Sequence, residues 1–254
     1  MQLNAIRQGM RGALPPLLIA HGLFGAARNW SGLAKRLSAT REVVAVDLRN
    51  HGDSGWDATH DYPAMASDLA DTLATLGGTA DVLGHSMGGK AAMLLALTRP
   101  ETVRRLVVVD IAPVGYAHSQ RPYLEAMRGL DLGQVTRRSL ADKALAAAVP
   151  DAGVRAFLAQ NLVFSPAGAR WRLNLEALDA NLDAILGWPE VTTRFEGPVT
   201  VIYGTASEYV RPEHHAAIHA RFPAARFEGI EGAGHWVHAE APDAFLAALS
   251  RALA

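Results

Sequence analysis

A serine with a glycine two positions to either side, in Gly84-His85-Ser86-Met87-Gly88-Gly89, is the stretch of this chain best suited to chemistry. A serine hydroxyl is a poor nucleophile at neutral pH. It needs a base to take its proton, and the base needs a carboxylate to fix its tautomer and stabilise the imidazolium that forms. Downstream, Asp110 closes the apolar run Leu106-Val107-Val108-Val109, and His235 stands in a glycine-rich stretch, Gly232-Ala233-Gly234-His235. Ser86, Asp110 and His235 are therefore the candidate nucleophile, acid and base, in that chain order.

Those three groups need elements that bring them together. Residues 81–83 read as the end of a short buried strand and 90–97 as an apolar, alanine-rich helix, so Ser86 falls on the turn between them. A strand-to-helix turn this tight strains the serine backbone and leaves no room for side chains at Gly84 and Gly88. It also presents the Met87 N–H beside the hydroxyl. Further strands are expected over 17–20, 43–47, 106–110, 199–203 and 226–230, alternating with helical patterns such as 62–76, where Met65, Leu69, Leu73 and Leu76 form a core-facing stripe. Alternation of this kind predicts an α/β fold with a mostly parallel central sheet flanked by helices, whose binding crevice lies at the carboxyl ends of the strands. After the first of these strands, His21-Gly22-Leu23-Phe24-Gly25 supplies a loop whose Leu23 N–H could pair with the Met87 N–H as an oxyanion hole. His21 reads equally as a structural hydrogen-bonder. The polar stretch from Asp47 to Gly55 reads as scaffold, a loop satisfying its own backbone.

From 114 to 196 the strands stop, and helix after helix is expected, over 122–127, 134–148, 153–161 and 175–186. The expected organisation is a core formed by 1–113 and 197–254, with 114–196 as a helical cap over the strand ends, all within one domain. Phe24, Trp236 and Trp171 are the candidate pocket residues. Phe157, Phe164 and Trp188 belong to the same aromatic set, although large aromatics in a helical block are commonly its own core. His238, and the neighbours His214 and His215, invite a metal reading, but no carboxylate or cysteine completes a ligand set by spacing, so no metal is expected.

Composition narrows the classes. Basic and acidic residues nearly cancel, 24 against 25, which leaves no basic footprint for nucleic acid. No apolar run reaches the ~18 residues of a membrane span, and the N-terminus lacks the apolar core of a signal peptide, so a soluble, cytoplasmic protein is expected. The absence of cysteine rules out disulfides and thiolate catalysis. Oligomeric state is not legible.

The order serine, acid, histidine is the one associated with α/β-hydrolases. With HGLFG, DLRNHGDS, GHSMGG, a helical block and GAGHW, the chain resembles that family over nearly its whole length. The DIAPV and YGTASEYV stretches make it most similar to small bacterial esterases and acyl-thioesterases related to the mitochondrial abhydrolase-domain hydrolases. What the resemblance implies is a cofactor-free hydrolase of small-molecule carboxylic esters or thioesters with a helical lid. One departure matters: many members carry the acid just after the strand that follows the lid, where this chain has Thr205-Ala206-Ser207. Asp110 is preferred because it directly ends a buried strand, and relatives with DIAP place the acid there. Glu208 is the alternative acid, since its longer side chain would have to turn inward. The same fold and triad also serve lyases and carbon–carbon bond hydrolases, and a weakly hydrolytic ligand receptor is a third reading.

Overall fold

The computed structural model describes residues 1–117 and 120–254. Seven strands form one sheet: β1 (Ala5–Gln8), β2 (Leu17–Ala20), β3 (Val43–Val46), β4 (Ala80–His85), β5 (Val103–Val109), and, after a long insertion, β8 (Val199–Gly204) and β9 (Ala225–Ile230). Within the insertion, β6 (Leu162–Ser165) and β7 (Gly168–Trp171) pair with each other alone. The order across the main sheet is β1-β3-β2-β4-β5-β8-β9, and every pairing is parallel except that of β1 with β3.

The sequence dictates this architecture through the strands' two faces. The central strands β2, β3 and β4 are buried throughout, as parallel strands covered by helices on both sides require, and β2 and β3 are runs of Leu, Ile, Val and Ala. Side-chain alternation then assigns each residue to a layer. Leu18, Val44, Val82, Leu106, Val108 and Val201 pack under the helices Tyr62–Thr75 and Met87–Thr98, whereas Leu17, Ile19, Val43, Leu83, Val107 and Ile202 pack against Trp30, Phe245 and Leu249. Register does the positioning. Ala20 lies opposite Gly84, His85 opposite Val109, Val109 opposite Ile202 and Gly204 opposite Ile230, so five strands end at one edge. The loops that leave that edge carry Leu23, Ser86, Asp110, Ser207 and His235.

The insertion is only partly the succession of helices expected. Helices at Arg121–Arg128, Arg138–Leu145, Ala152–Ala159, Leu175–Ala180 and Leu182–Leu186 are present, but a hairpin stands between the third and the fourth. Its cause is local: Ser165-Pro166-Ala167-Gly168 cannot continue a helix, and Gly168 adopts a φ of 115° that suits glycine. The helix expected over 134–148 is shorter, Arg138–Leu145, preceded by a 3-10 turn at Leu132–Gln134. That expected over 175–186 is broken at Asn181 into two. Among the described residues, no helix is long and apolar enough to cross a membrane.

Two glycines allow the close approach of strand and helix at the Ser86 turn. A Cβ on Gly84 would lie 2.3 Å from the Gly88 carbonyl oxygen, and one on Gly88 would lie 2.4 Å from the His21 carbonyl oxygen. Both neighbours are backbone and cannot swing aside. Gly84→Ala is therefore expected to cost about 3 kcal/mol or more, lowering Tm by roughly 6–12 °C for a chain of this size. Gly32→Ala, in the open helix Ser31–Leu37 where an added methyl meets nothing within 4 Å, should raise Tm slightly. Equal losses in the two variants would contradict the packing account.

Candidate active site

Ser86 follows β4 and immediately precedes the helix Met87–Thr98, with φ 52° and ψ −120°. A left-handed serine is strained, and it persists here because the strand and the helix are locked together through Gly84 and Gly88. The Ser86 N–H is taken by the Val109 carbonyl, and the carbonyl of Ser86 accepts from Lys90 one helical turn on. With its backbone fixed, the hydroxyl faces His235. Oγ donates to Nε2 across 3.0 Å, while Nδ1 donates to Asp110 Oδ2 across 2.7 Å. A carboxylate only accepts, so the proton on that side of the ring belongs to Nδ1.

Asp110 is fully buried at the end of β5 and also has a positive φ, 51°. Its Oδ1 accepts from the Gly204 N–H at 3.2 Å and its Oδ2 from the Ser207 hydroxyl at 2.5 Å. Burial pushes the carboxyl up to about 7, against the pull of those two donors, and the charge of Glu240 adds to the rise. Glu208 is elsewhere. Its carboxylate pairs with Arg211 at 2.8 Å and is 74% exposed, so the structure brings His235 to Asp110 and not to Glu208.

His235 is held from several sides. Tyr209 stacks on the His235 ring with centroids 3.9 Å apart, and His85 Nε2 donates to the His235 carbonyl at 2.9 Å. Glu240 accepts from the N–H groups of Gly234 and Trp236, at 2.6 and 3.1 Å, and so fixes the loop on both sides of the histidine. Burial lowers His85 to about 3, which leaves it a neutral donor. None of Ser207, Tyr209, His85 or Glu240 was assigned a role from sequence. The only signal was the Thr205-Ala206-Ser207 stretch itself, where a serine that supports a distant carboxylate occupies the region in which a carboxylate was sought.

Leu23 and Met87 line the same cleft as Ser86 and His235. Met87 opens its helix, so its N–H has no partner within the helix. The loop carrying Leu23 is pinned by its neighbours. His21 accepts from the Leu48 N–H at 3.0 Å, His51 accepts from the Phe24 N–H at 3.2 Å, and the Asn161 amide donates to the Phe24 carbonyl at 2.8 Å. His21 is thus a structural hydrogen-bonder. The stretch from Asp47 to Gly55 satisfies itself and its surroundings, with Asp47 accepting from Asn4, Ala27 and Asp53.

Phe24 and Trp236 line the cleft, and so do Tyr116, Tyr123, Val154, Phe157, Ile185 and Leu186 of the insertion. Trp171 does not. Its ring lies at the end of β7 opposite Leu162, buried within the insertion's own packing, because the hairpin turns that face of the strand away from the cleft. No group of three or more His, Asp or Glu residues suited to a metal occurs among the described residues.

This arrangement, with a strained serine turn after the central strand and a largely helical insertion before the penultimate strand, defines an α/β hydrolase. The chain belongs to that family: residues 15–242 match the alpha/beta hydrolase fold family. It is 43% identical to the sn-1-specific diacylglycerol lipase ABHD11 of Mus musculus over 95% of this chain and 81% of that protein. It is 39% identical to Esterase YbfF of Escherichia coli K12, over 94% of this chain and 92% of that one. Among solved structures, a marine microorganism esterase superposes with a TM-score of 0.94 at 29% identity, covering 98% of both chains.

The buried Nδ1–H···Asp110 bond has a spectroscopic consequence. A far-downfield, slowly exchanging imidazole N–H proton signal is expected in the parent protein and in Glu208→Gln, and is expected to vanish in Asp110→Asn. Loss in Glu208→Gln instead would contradict the geometry.

Proposed function

We propose that the protein hydrolyses carboxylic esters or thioesters through an acyl-enzyme on Ser86. The coarse class is carried by the relatives: this is a carboxylic ester hydrolase of the esterase/lipase type, like the lipase and esterase it matches over more than nine-tenths of its length. The observation that carries the mechanism is the unbroken chain of hydrogen bonds, 3.0 Å from Ser86 to His235 and 2.7 Å from His235 to Asp110, in a cleft shared by Ser86 and His235.

In this reading His235 takes the Ser86 proton as Oγ attacks the acyl carbonyl, and buried Asp110 stabilises the imidazolium. The N–H groups of Leu23 and Met87 receive the developing oxyanion, each contributing roughly 10²–10³ in rate. His235 then protonates the leaving alcohol or thiol, and it later deprotonates the water that cleaves the acyl-enzyme. Residues 114–196 act as a cap that walls the cleft on the side away from the sheet and keeps bulk water from the reacting carbonyl. Phe24, Phe157 and Trp236 give it an apolar lining, with the Phe157 and Trp236 rings 6.0 Å apart.

Kinetics test this directly with a neutral p-nitrophenyl acyl ester. Ser86→Ala should abolish turnover, and Asp110→Asn should lower kcat by about 10⁴. Glu208→Gln should stay within about twofold of the parent. Turnover by Ser86→Ala near the parent rate would overturn the proposal, and a larger loss in Glu208→Gln than in Asp110→Asn would overturn the assignment of the acid.

The raised Asp110 carboxyl fixes the sign of the pH response. Below about 7 it takes up a proton and no longer stabilises the imidazolium, so kcat/KM should fall as pH drops through that value. A kcat/KM that is flat from pH 5 to 8 would contradict this.

A further inference from the structure

Lys90 is the one lysine whose side chain the fold has taken out of water to line the cleft. It is 1% exposed, one helical turn after Ser86, and lies against the cleft with Tyr62, Tyr116, Ile185 and Leu186. Its Nζ donates to the carbonyl oxygens of Leu186 at 3.0 Å and Gly187 at 2.6 Å, and it stands 4.9 Å from the centre of the Tyr116 ring and 5.5 Å from that of Tyr62. An ammonium has three donors, and the two carbonyls take two of them. No carboxylate lies within ion-pair distance of it among the described residues.

The need for a charge here is the point to explain. Holding Leu186 and Gly187 against the nucleophile helix requires only hydrogen-bond donors, which a neutral amide would supply without the cost of burying an ion. Carbonyl dipoles and ring faces reduce that cost, but they carry no net negative charge. The titratable groups facing Nζ are Tyr62 and Tyr116, both pushed upward by burial and therefore neutral. Desolvation correspondingly lowers the amine to about 7. The amine is thus about half protonated at neutral pH and cationic below it, buried, and without an anion of its own.

We infer that Lys90 is the counter-ion of an anionic group on the substrate, and that the cleft takes esters whose acyl part bears a carboxylate. This rests on the ester-hydrolase reading and narrows it. Lys90 lies four positions after Ser86, about 6 Å along the helix axis, and both line one cleft, which suits an acyl chain that carries its second carboxylate at the far end. An anion brought against Nζ in a cleft that excludes water gains an ion pair that an isosteric neutral chain cannot make.

The test compares monoethyl glutarate and monoethyl adipate with ethyl pentanoate and ethyl hexanoate, following acid release at fixed pH. At pH 6 the hemiesters should show a kcat/KM at least about tenfold higher than their neutral counterparts. The preference should decline as pH rises and Lys90 loses its proton. The titration of Asp110 affects both substrates alike and cancels in the ratio. Lys90→Met should reverse the preference, and the pH dependence of the parent's ratio reads the same charge should that variant not fold. Hemiesters turned over no better than neutral esters at pH 6 would overturn the subsite while leaving the ester-hydrolase reading intact. If no ester is turned over, that reading fails, and the subsite is then decided by whether adipate raises Tm more than hexanoate does.

Discussion

The turn at Ser86 is the constraint on which the site depends. β4 and the helix that follows it approach so closely that Gly84, Gly88 and the carbonyl of His21 share one small volume, and the serine between them is forced to φ 52°. Packing of the central sheet against its helices stabilises that strained conformation, since relaxing it would pull the helix off the strand. The same turn fixes two things at once: the direction of the hydroxyl and the position of the Met87 N–H. What the rest of the sheet contributes is register, which brings the ends of β2, β5, β8 and β9 level with this turn so that one histidine can bridge serine and aspartate.

Around that bridge the electrostatics are arranged by burial. Asp110 is buried at the end of β5 and is left with two donors besides His235, Gly204 and Ser207, while His85 stays neutral beside His235. A charged neighbour at His85 would oppose the imidazolium. Lys90 is the opposite case, an amine placed one turn from Ser86 and held by carbonyls of the insertion. Its burial lowers its affinity for the proton.

Much of this was legible in the sequence because it is local. The parallel strands β2, β3, β5 and β8 carry short Val/Leu/Ile runs, and the glycines that flank Ser86 mark the turn directly. Ser86, Asp110 and His235 could be ordered because each follows a recognisable strand. The missed features are set by distant partners. β1 has the mixed, half-exposed sequence Ala5-Ile6-Arg7-Gln8 and becomes a strand only by pairing with β3. Trp171 reads as a pocket residue because it is a large aromatic in the insertion; the Pro166 and Gly168 turn marks a break in the helical pattern, but not which way the resulting hairpin faces. Ser207 and Lys90 act through residues 97 and 96 positions away, Asp110 and Leu186 respectively. Spacing within a motif could not reveal them.

The central claim is that Ser86 carries the acyl group. Intact-mass measurement and peptide mapping after rapid quenching with a slowly deacylating p-nitrophenyl ester examine it most directly. The account predicts one acyl adduct per chain, located on Ser86 and absent from Ser86→Ala. Steady turnover of the ester with no adduct on Ser86, or with the adduct on another residue, would contradict it.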